Sequence, residues 1–205
     1  DISIAFMRVE KIFEFLFGKE IASNFSRPVF VGLYFHVPLI IIGFVIAKFT
    51  KTIGFHWLSL LIVASELLIV ITRFVFSYEQ TFMGDLVRYW YAGLFLFASA
   101  YTLYEDGHVR VDILYQGLKE KTKNLVNCFG SILMGWSTSI IIILICFYGK
   151  QSIVNSPVAN FEITQQGSVG MFIKYHMAVF LAIFGITMLI QFISYFFESI
   201  ADYKN

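Results

Sequence analysis

The sequence predicts an all-α integral membrane protein: a bundle of four core transmembrane helices, preceded by an N-terminal amphipathic helix and an additional apolar helix. Three observations predict it. Hydrophobic residues make up 58% of the 205 residues and charged residues 14%, far from the averages of soluble globular domains. The mean hydropathy is +0.75. Apolar stretches of about 20 residues, the length that crosses a hydrocarbon core about 30 Å thick, recur at Pro28 to Ala47, His56 to Phe76, Leu86 to Tyr104, Leu125 to Tyr148 and Val169 to Phe197. With a net charge of +1 and no basic stripe interleaved with aromatics, nucleic-acid binding is set aside.

Taken in order, Ile2 to Phe17 sets Ile4, Phe6, Val9, Phe13, Leu16 and Phe17 among Arg8, Glu10, Lys11 and Glu14. The polar residues gather at helical spacing, which predicts one helix lying in the membrane interface. Gly18 to Pro28 follows as a polar connector. The first apolar run contains His36 and Pro38. Proline removes a backbone hydrogen bond, so this run either crosses the bilayer with a kink or lies partly along it. Residues 1–55 thus form an N-terminal extension, and residues 56–205 the four-helix transmembrane domain. The last run is longer than a span needs and is expected to tilt or to continue past the membrane surface. No internal repeat, low-complexity tract or soluble domain interrupts this order. No signal-peptide pattern opens the sequence, so insertion is expected to use the spans themselves.

Lysines and arginines in short loops set orientation, because positive charge stays on the cytoplasmic side. The loop from Glu105 to Lys123 carries Arg110, Lys119, Lys121 and Lys123, whereas Ser77 to Asp85 carries no basic residue. The former is predicted inside and the latter outside. By alternation Lys48 and Lys51 lie inside, the loop from Lys150 to Ser168 outside, and the C-terminus inside. If the first apolar run spans, the N-terminus is outside, against the pull of Arg8, Lys11, Lys19 and Arg27.

Both cysteines, Cys128 and Cys146, fall in one span. A rise of about 1.5 Å per residue separates them by about 27 Å, well beyond disulfide reach. They read as small apolar packing residues.

Candidate chemistry is sparse. Glu66 sits deep in a span, where a lone carboxylate is costly unless protonated, solvated or partnered. It reads either as a proton or cation relay or as a polar contact to another helix, and the absence of a second ionisable group beside it favours contact. Arg73 shares its face but stands about 10 Å along the axis, too far for a direct bridge. At the outer end Arg73, Glu79, Asp85 and Arg88 gather where one span closes and the next begins, either as a structural clasp or as charges offered to a partner. Asp85 suits a helix N-terminus, where the dipole favours an anion. At the inner end Asp106-Gly107 signals a turn, and His108, Arg110 and Asp112 become available to lipid headgroups or a neighbouring subunit. No second His or Cys stands at metal-ligand spacing, so no metal site is expected. His36 and His176 are the one pair placed to suggest axial ligands of a haem. No nucleophile triad, phosphate loop or zinc motif appears, and catalysis by the chain is not expected.

These residues resemble a family: the small, Q-type (DctQ-like) membrane subunit of tripartite ATP-independent periplasmic (TRAP) transporters. Arg73-Phe74-Val75-Phe76 resembles the Arg-aromatic end of that family's first span, and Asp85-Leu86 the acidic-Leu start of its second, where the family usually has glutamate. Ala100-Tyr101-Thr102-Leu103 followed by Asp106 to Ile113 is similar to its most recognisable stretch, in the branch associated with small organic acids. Gly167 to Gln191, with Gly170, Lys174 and Gln191, resembles the approach to its last span and that span itself. The likeness covers about His56 to Phe197 and leaves the first 55 residues unmatched.

The resemblance implies a non-enzymatic accessory scaffold without a cofactor, in a bacterial or archaeal cytoplasmic (inner) membrane. Its partners would be a larger membrane subunit that moves small organic acids with sodium, a periplasmic solute-binding protein, and the lipid bilayer. On that footing Arg73, Asp85, Arg88, Glu162 and Lys174 would clasp the bundle or meet the binding protein, and His108, Arg110 and Asp112 would anchor the cytoplasmic end. The rival readings are a haem-binding anchor of a redox complex and a stand-alone carrier.

Overall fold

Apolar runs set between short polar connectors fold into helices, which the computed structural model describes over residues 1–50, 54–105, 115–164 and 170–204. All the regular structure among the described residues is helical. Contacts divide the chain into two units, Asp1–Leu94 with Ser156–Val179, and Phe95–Asn155 with Phe180–Asn205.

The first unit opens differently from the sequence expectation. In place of one interfacial helix over Ile2 to Phe17 and a connector after it, α1 (Ile2–Val9) and α2 (Ile12–Asn24) are separate helices. Lys11 breaks them at φ 55°, and Gly18 leaves helical geometry inside α2 at φ 79°, a conformation open to glycine because it has no Cβ. The break has a packing cause. It lets Ile4 and Phe13 enter one cluster with Val31 and Phe172, where Phe13 stacks on Phe25 at 4.0 Å between ring centroids.

The first apolar run is one continuous helix, Pro28–Phe49, made of α3 (Pro28–Val31), a π-helical turn over Gly32–His36 and α4 (Val37–Phe49). Pro38 has no N–H for the carbonyl one turn earlier, and its ring crowds that carbonyl. The wider π turn just before it relieves the conflict: the Val37 N–H reaches back five residues to the Gly32 carbonyl. Gly32 lies against the Phe161 ring so closely that a Cβ would meet it at 2.3 Å.

Next come α5 (Phe55–Val75) and α6 (Thr81–Tyr104). Helix α6 starts five residues ahead of the predicted Leu86, so Asp85 lies one turn inside it and not at its N-terminus. The turn before Leu86 is helical because Phe82 and Met83 are buried with Leu86, Ala5, Met171 and Ile173 in the main apolar cluster of this unit.

In the second unit α7 (Glu120–Gly130), a π turn over Ser131–Trp136 and α8 (Ser137–Phe147) form one helix of 28 residues. The hydroxyls of Ser131 and Ser137 bond to the carbonyls of Asn127 and Leu133, four residues back. This helix packs on the later part of α10 (Lys174–Lys204). Gly135 receives the Phe192 ring, 2.5 Å from where a Cβ would stand, and Trp136 meets Phe196 edge-on at 5.2 Å. Small residues let membrane helices approach in this way. The end of α6 joins them through Phe97, edge-on to Phe180 at 4.7 Å. Cys128 and Cys146 are both free thiols. A short helix that the sequence did not foretell, α9 (Asn155–Asn160), interrupts the predicted outer loop.

Among the described residues four helices are long and apolar enough to cross a membrane: Pro28–Phe49, Phe55–Val75, Glu120–Phe147 and Lys174–Lys204. The run expected to be additional is thus among the four. Helix α6 has the length, with 24 residues, but Asp85, Arg88, Trp90 and its tyrosines make it less apolar than the others.

Candidate functional site

Three of the predicted outer residues, Asp85, Glu162 and Lys174, gather in the first unit at a neck where residues 162–164 meet residues 170–174. Helix α6 turns Phe82, Met83, Leu86 and Val87 inward, and Asp85 falls on that same face with no exposure. A buried carboxylate requires hydrogen-bond donors. The Thr164 hydroxyl donates to Asp85 Oδ2 at 2.6 Å, and the Met171 N–H donates to the same oxygen at 3.3 Å. The Thr164 N–H donates to the Met171 carbonyl at 3.0 Å, so residues 164 and 171 are held side by side with Asp85 across them.

Gly170 makes that approach possible. A Cβ there would stand 2.2 Å from the Thr164 carbonyl oxygen, a backbone atom that cannot yield. Arg8 completes the neck: its Nη2 donates to the Gly170 carbonyl at 2.6 Å, and its guanidinium lies 4.4 Å from the centre of the Phe172 ring. Burial pushes the Arg8 pKa down from its usual value, yet a guanidinium stays charged at physiological pH. Met171, Phe172 and Ile173 are each no more than 2% exposed, which makes this neck the best-packed point of the unit.

Glu162 and Lys174 form an ion pair beside it, and the Ser156 hydroxyl donates to Glu162 at 3.2 Å. The Lys174 hydrogen bond is the main cause that holds the Glu162 carboxyl below the ordinary carboxylate range. Lys174 is the first residue of α10, where a cation faces the positive end of the helix dipole; Glu162 offsets that. Arg73, Glu79 and Arg88 are exposed. Asp85 itself turns inward, to Thr164 and Met171.

Glu66, the twelfth residue of α5, is exposed, and among the described residues nothing hydrogen-bonds to it or pairs with it. His108, Arg110 and Asp112 lie outside the described residues, as do Asp106, Gly107 and Gly167. Just after the former segment, the Tyr115 hydroxyl donates to Asn127 Oδ1 at 3.0 Å and returns the chain to α7.

His36 and His176 do come together, in a cavity of about 310 Å³ that Tyr89 and Trp90 also line. Their rings stand 4.7 Å apart between centroids and are tilted by 49°. Tyr175 is hydrogen-bonded to His36 Nδ1 and packs against His176. A haem iron held by both would need its macrocycle between the rings. Here they already touch, and the pair does not fit that group.

Sequence reasoning missed Arg8, Thr164 and Tyr175 as site residues. Their partners are 162, 79 and 139 residues away in sequence, and no local pattern announces such contacts. Gly170 was the one available signal, a glycine close ahead of a span.

Residues 62–202 match the family model of tripartite ATP-independent periplasmic transporters, DctQ component. The chain belongs to the DctQ family. No curated protein and no solved structure matches it. As a DctQ chain it is the small membrane subunit of a TRAP transporter, a transport component and not an enzyme. DctQ subunits work with a large membrane subunit and a periplasmic binding protein, and the spanning helices fit a multi-pass protein of the inner membrane. The DctQ match takes in Asp85, Thr164 and Met171 and leaves out Arg8 and His36.

Proposed function

We propose that this DctQ subunit is the scaffold of a sodium-coupled importer of small organic acids, bracing the large transport subunit and helping to dock the binding protein at the outer end. One observation carries the reading. In each of the four spanning helices only 11% to 17% of the most apolar window is buried within the chain itself. Such helices present most of their surface sideways, which suits a brace, and membrane helices associate through close packing of those surfaces.

In this reading Asp85, Glu162 and Lys174 hold the outer end in shape, and Arg73 and Arg88 stand at that end to clasp the bundle or to meet a partner. The C-terminus is cytoplasmic by the distribution of lysines and arginines. His108, Arg110 and Asp112 anchor that side to the membrane or to the large subunit, and residues 1–55 are an extension ahead of the 56–205 domain. The test is tagged purification from native membranes with uptake measured in parallel. A much larger polytopic subunit should copurify, and Arg110→Ala or Asp112→Ala should weaken its recovery or uptake. Unchanged copurification and transport in both variants removes the cytoplasmic-anchor assignment, and recovery of a redox enzyme or of this chain alone removes the scaffold reading.

A further inference from the structure

We infer that one face of α5, marked by Ser59, Glu66 and Arg73, is the seam against which a transmembrane helix of the large subunit packs, with a hydrogen-bond donor or cation of that helix opposite Glu66. The inference rests on the scaffold reading above and deepens it.

Helix α5 contributes only Ile62 and Ser65 to the buried interior. Its own chain therefore leaves it among the least covered of the spans, with 11% of its window buried. Glu66 lies at mid-helix, exposed and without a partner among the described residues, at the edge of the covered face that Ile62 and Ile69 mark. An ionisable side chain at that depth is expensive against lipid and normally turns to a protein partner or a water-filled cavity. None of the five best-formed cavities among the described residues is lined by Glu66.

Ser59 and Arg73 stand seven residues before and after Glu66. A seven-residue step falls within about 20° of the same direction on a helix and advances about 10 Å, so the three polar groups form a straight stripe along one face. A heptad stripe is the pattern presented to a helix crossing at about 20°, the common geometry of membrane bundles. The occupant must answer a carboxylate at mid-depth and run nearly parallel to α5, which describes a membrane-spanning helix and neither a lipid chain nor a soluble domain. A second copy of this chain would bring Glu66 to face Glu66 about a two-fold axis, with repulsion in place of pairing.

Photo-crosslinking in native membranes carrying the whole transporter tests this. A crosslinking residue at Val63 or Val70 lies within about 60° of Glu66 on the helix; one at Ala64 or Ile71 is turned about 140–160° away from it. Val63 and Val70 should give several-fold more adduct with the large subunit, identified by mass spectrometry, than Ala64 and Ile71. Recovery of the large subunit should fall in the order wild type, Glu66→Gln, Glu66→Leu, while the abundance of this chain expressed alone is unchanged, because leucine suits a lipid-facing site. Equal adducts on both faces, adducts between two copies, or full recovery with Glu66→Leu overturns the seam. If the large subunit copurifies with wild type yet crosslinks elsewhere, only the seam fails; if no large subunit copurifies at all, the scaffold reading falls with it.

Discussion

Asp85 shows how one side chain can hold a loop that local sequence leaves open. Its carboxylate answers a hydroxyl and a backbone N–H from residues 79 and 86 positions away. Leaving such buried groups unsatisfied costs about 1–3 kcal/mol. Asp85→Ala should therefore lower the unfolding temperature of the purified subunit in detergent clearly more than Asp85→Asn, which keeps an acceptor oxygen; equal losses would falsify the role of the hydrogen bonds. Glu162 acts at the surface and by charge. Its pKa is depressed in the folded chain, so its contribution is present above the unfolded carboxylate value and is lost as pH falls through the folded one. The stability gap between wild type and Glu162→Gln should be small, largest near neutral pH, reduced by salt, and should close on acidification through the carboxylate range. A gap that widens in acid would contradict the pairing with Lys174.

At the scale of elements, two spans carry a π turn, and each turn sets a glycine against an aromatic ring. In Glu120–Phe147 the contact is Gly135 with Phe192. Gly135→Ala should destabilise by crowding that ring, and Phe192→Leu in the same chain should restore part of the loss, a coupling that a double-mutant cycle in thermal unfolding measures. In Pro28–Phe49 the turn has an identifiable cause in Pro38. Pro38→Ala returns the missing N–H and lets the helix close as a regular α-helix, which turns His36 away from Tyr175. The effects of Pro38→Ala and His36→Ala on stability should then be strongly non-additive; strict additivity would disconnect the proline from the histidine.

For the molecule as a whole, the large uncovered helix surfaces link stability to assembly. A partner that binds only the folded subunit stabilises it by mass action, so the subunit should unfold at a higher temperature when co-purified with the large membrane subunit than alone. The class of fold was legible before any contact was known, because hydropathy and length alone decide whether a segment can satisfy its backbone inside lipid. Hence all five apolar runs and the stretch resembling the DctQ family were found from residue order. The N-terminal segment was not: its break at Lys11 serves the meeting of Ile4 and Phe13 with Val31 and Phe172, a condition written in distant residues. The start of α6 was missed for the same reason, since Phe82 and Met83 are helical where α1 and Met171 cover them. By itself the sequence determined that this is a helical membrane subunit, which runs are apolar, and that Glu66 is anomalous, all properties of residues taken with their near neighbours. Only the tertiary structure decided that Asp85 turns inward to Thr164 and Met171 while Glu66 turns outward. Which side of a helix is covered depends on the other helices, and the chain order does not record how those pack.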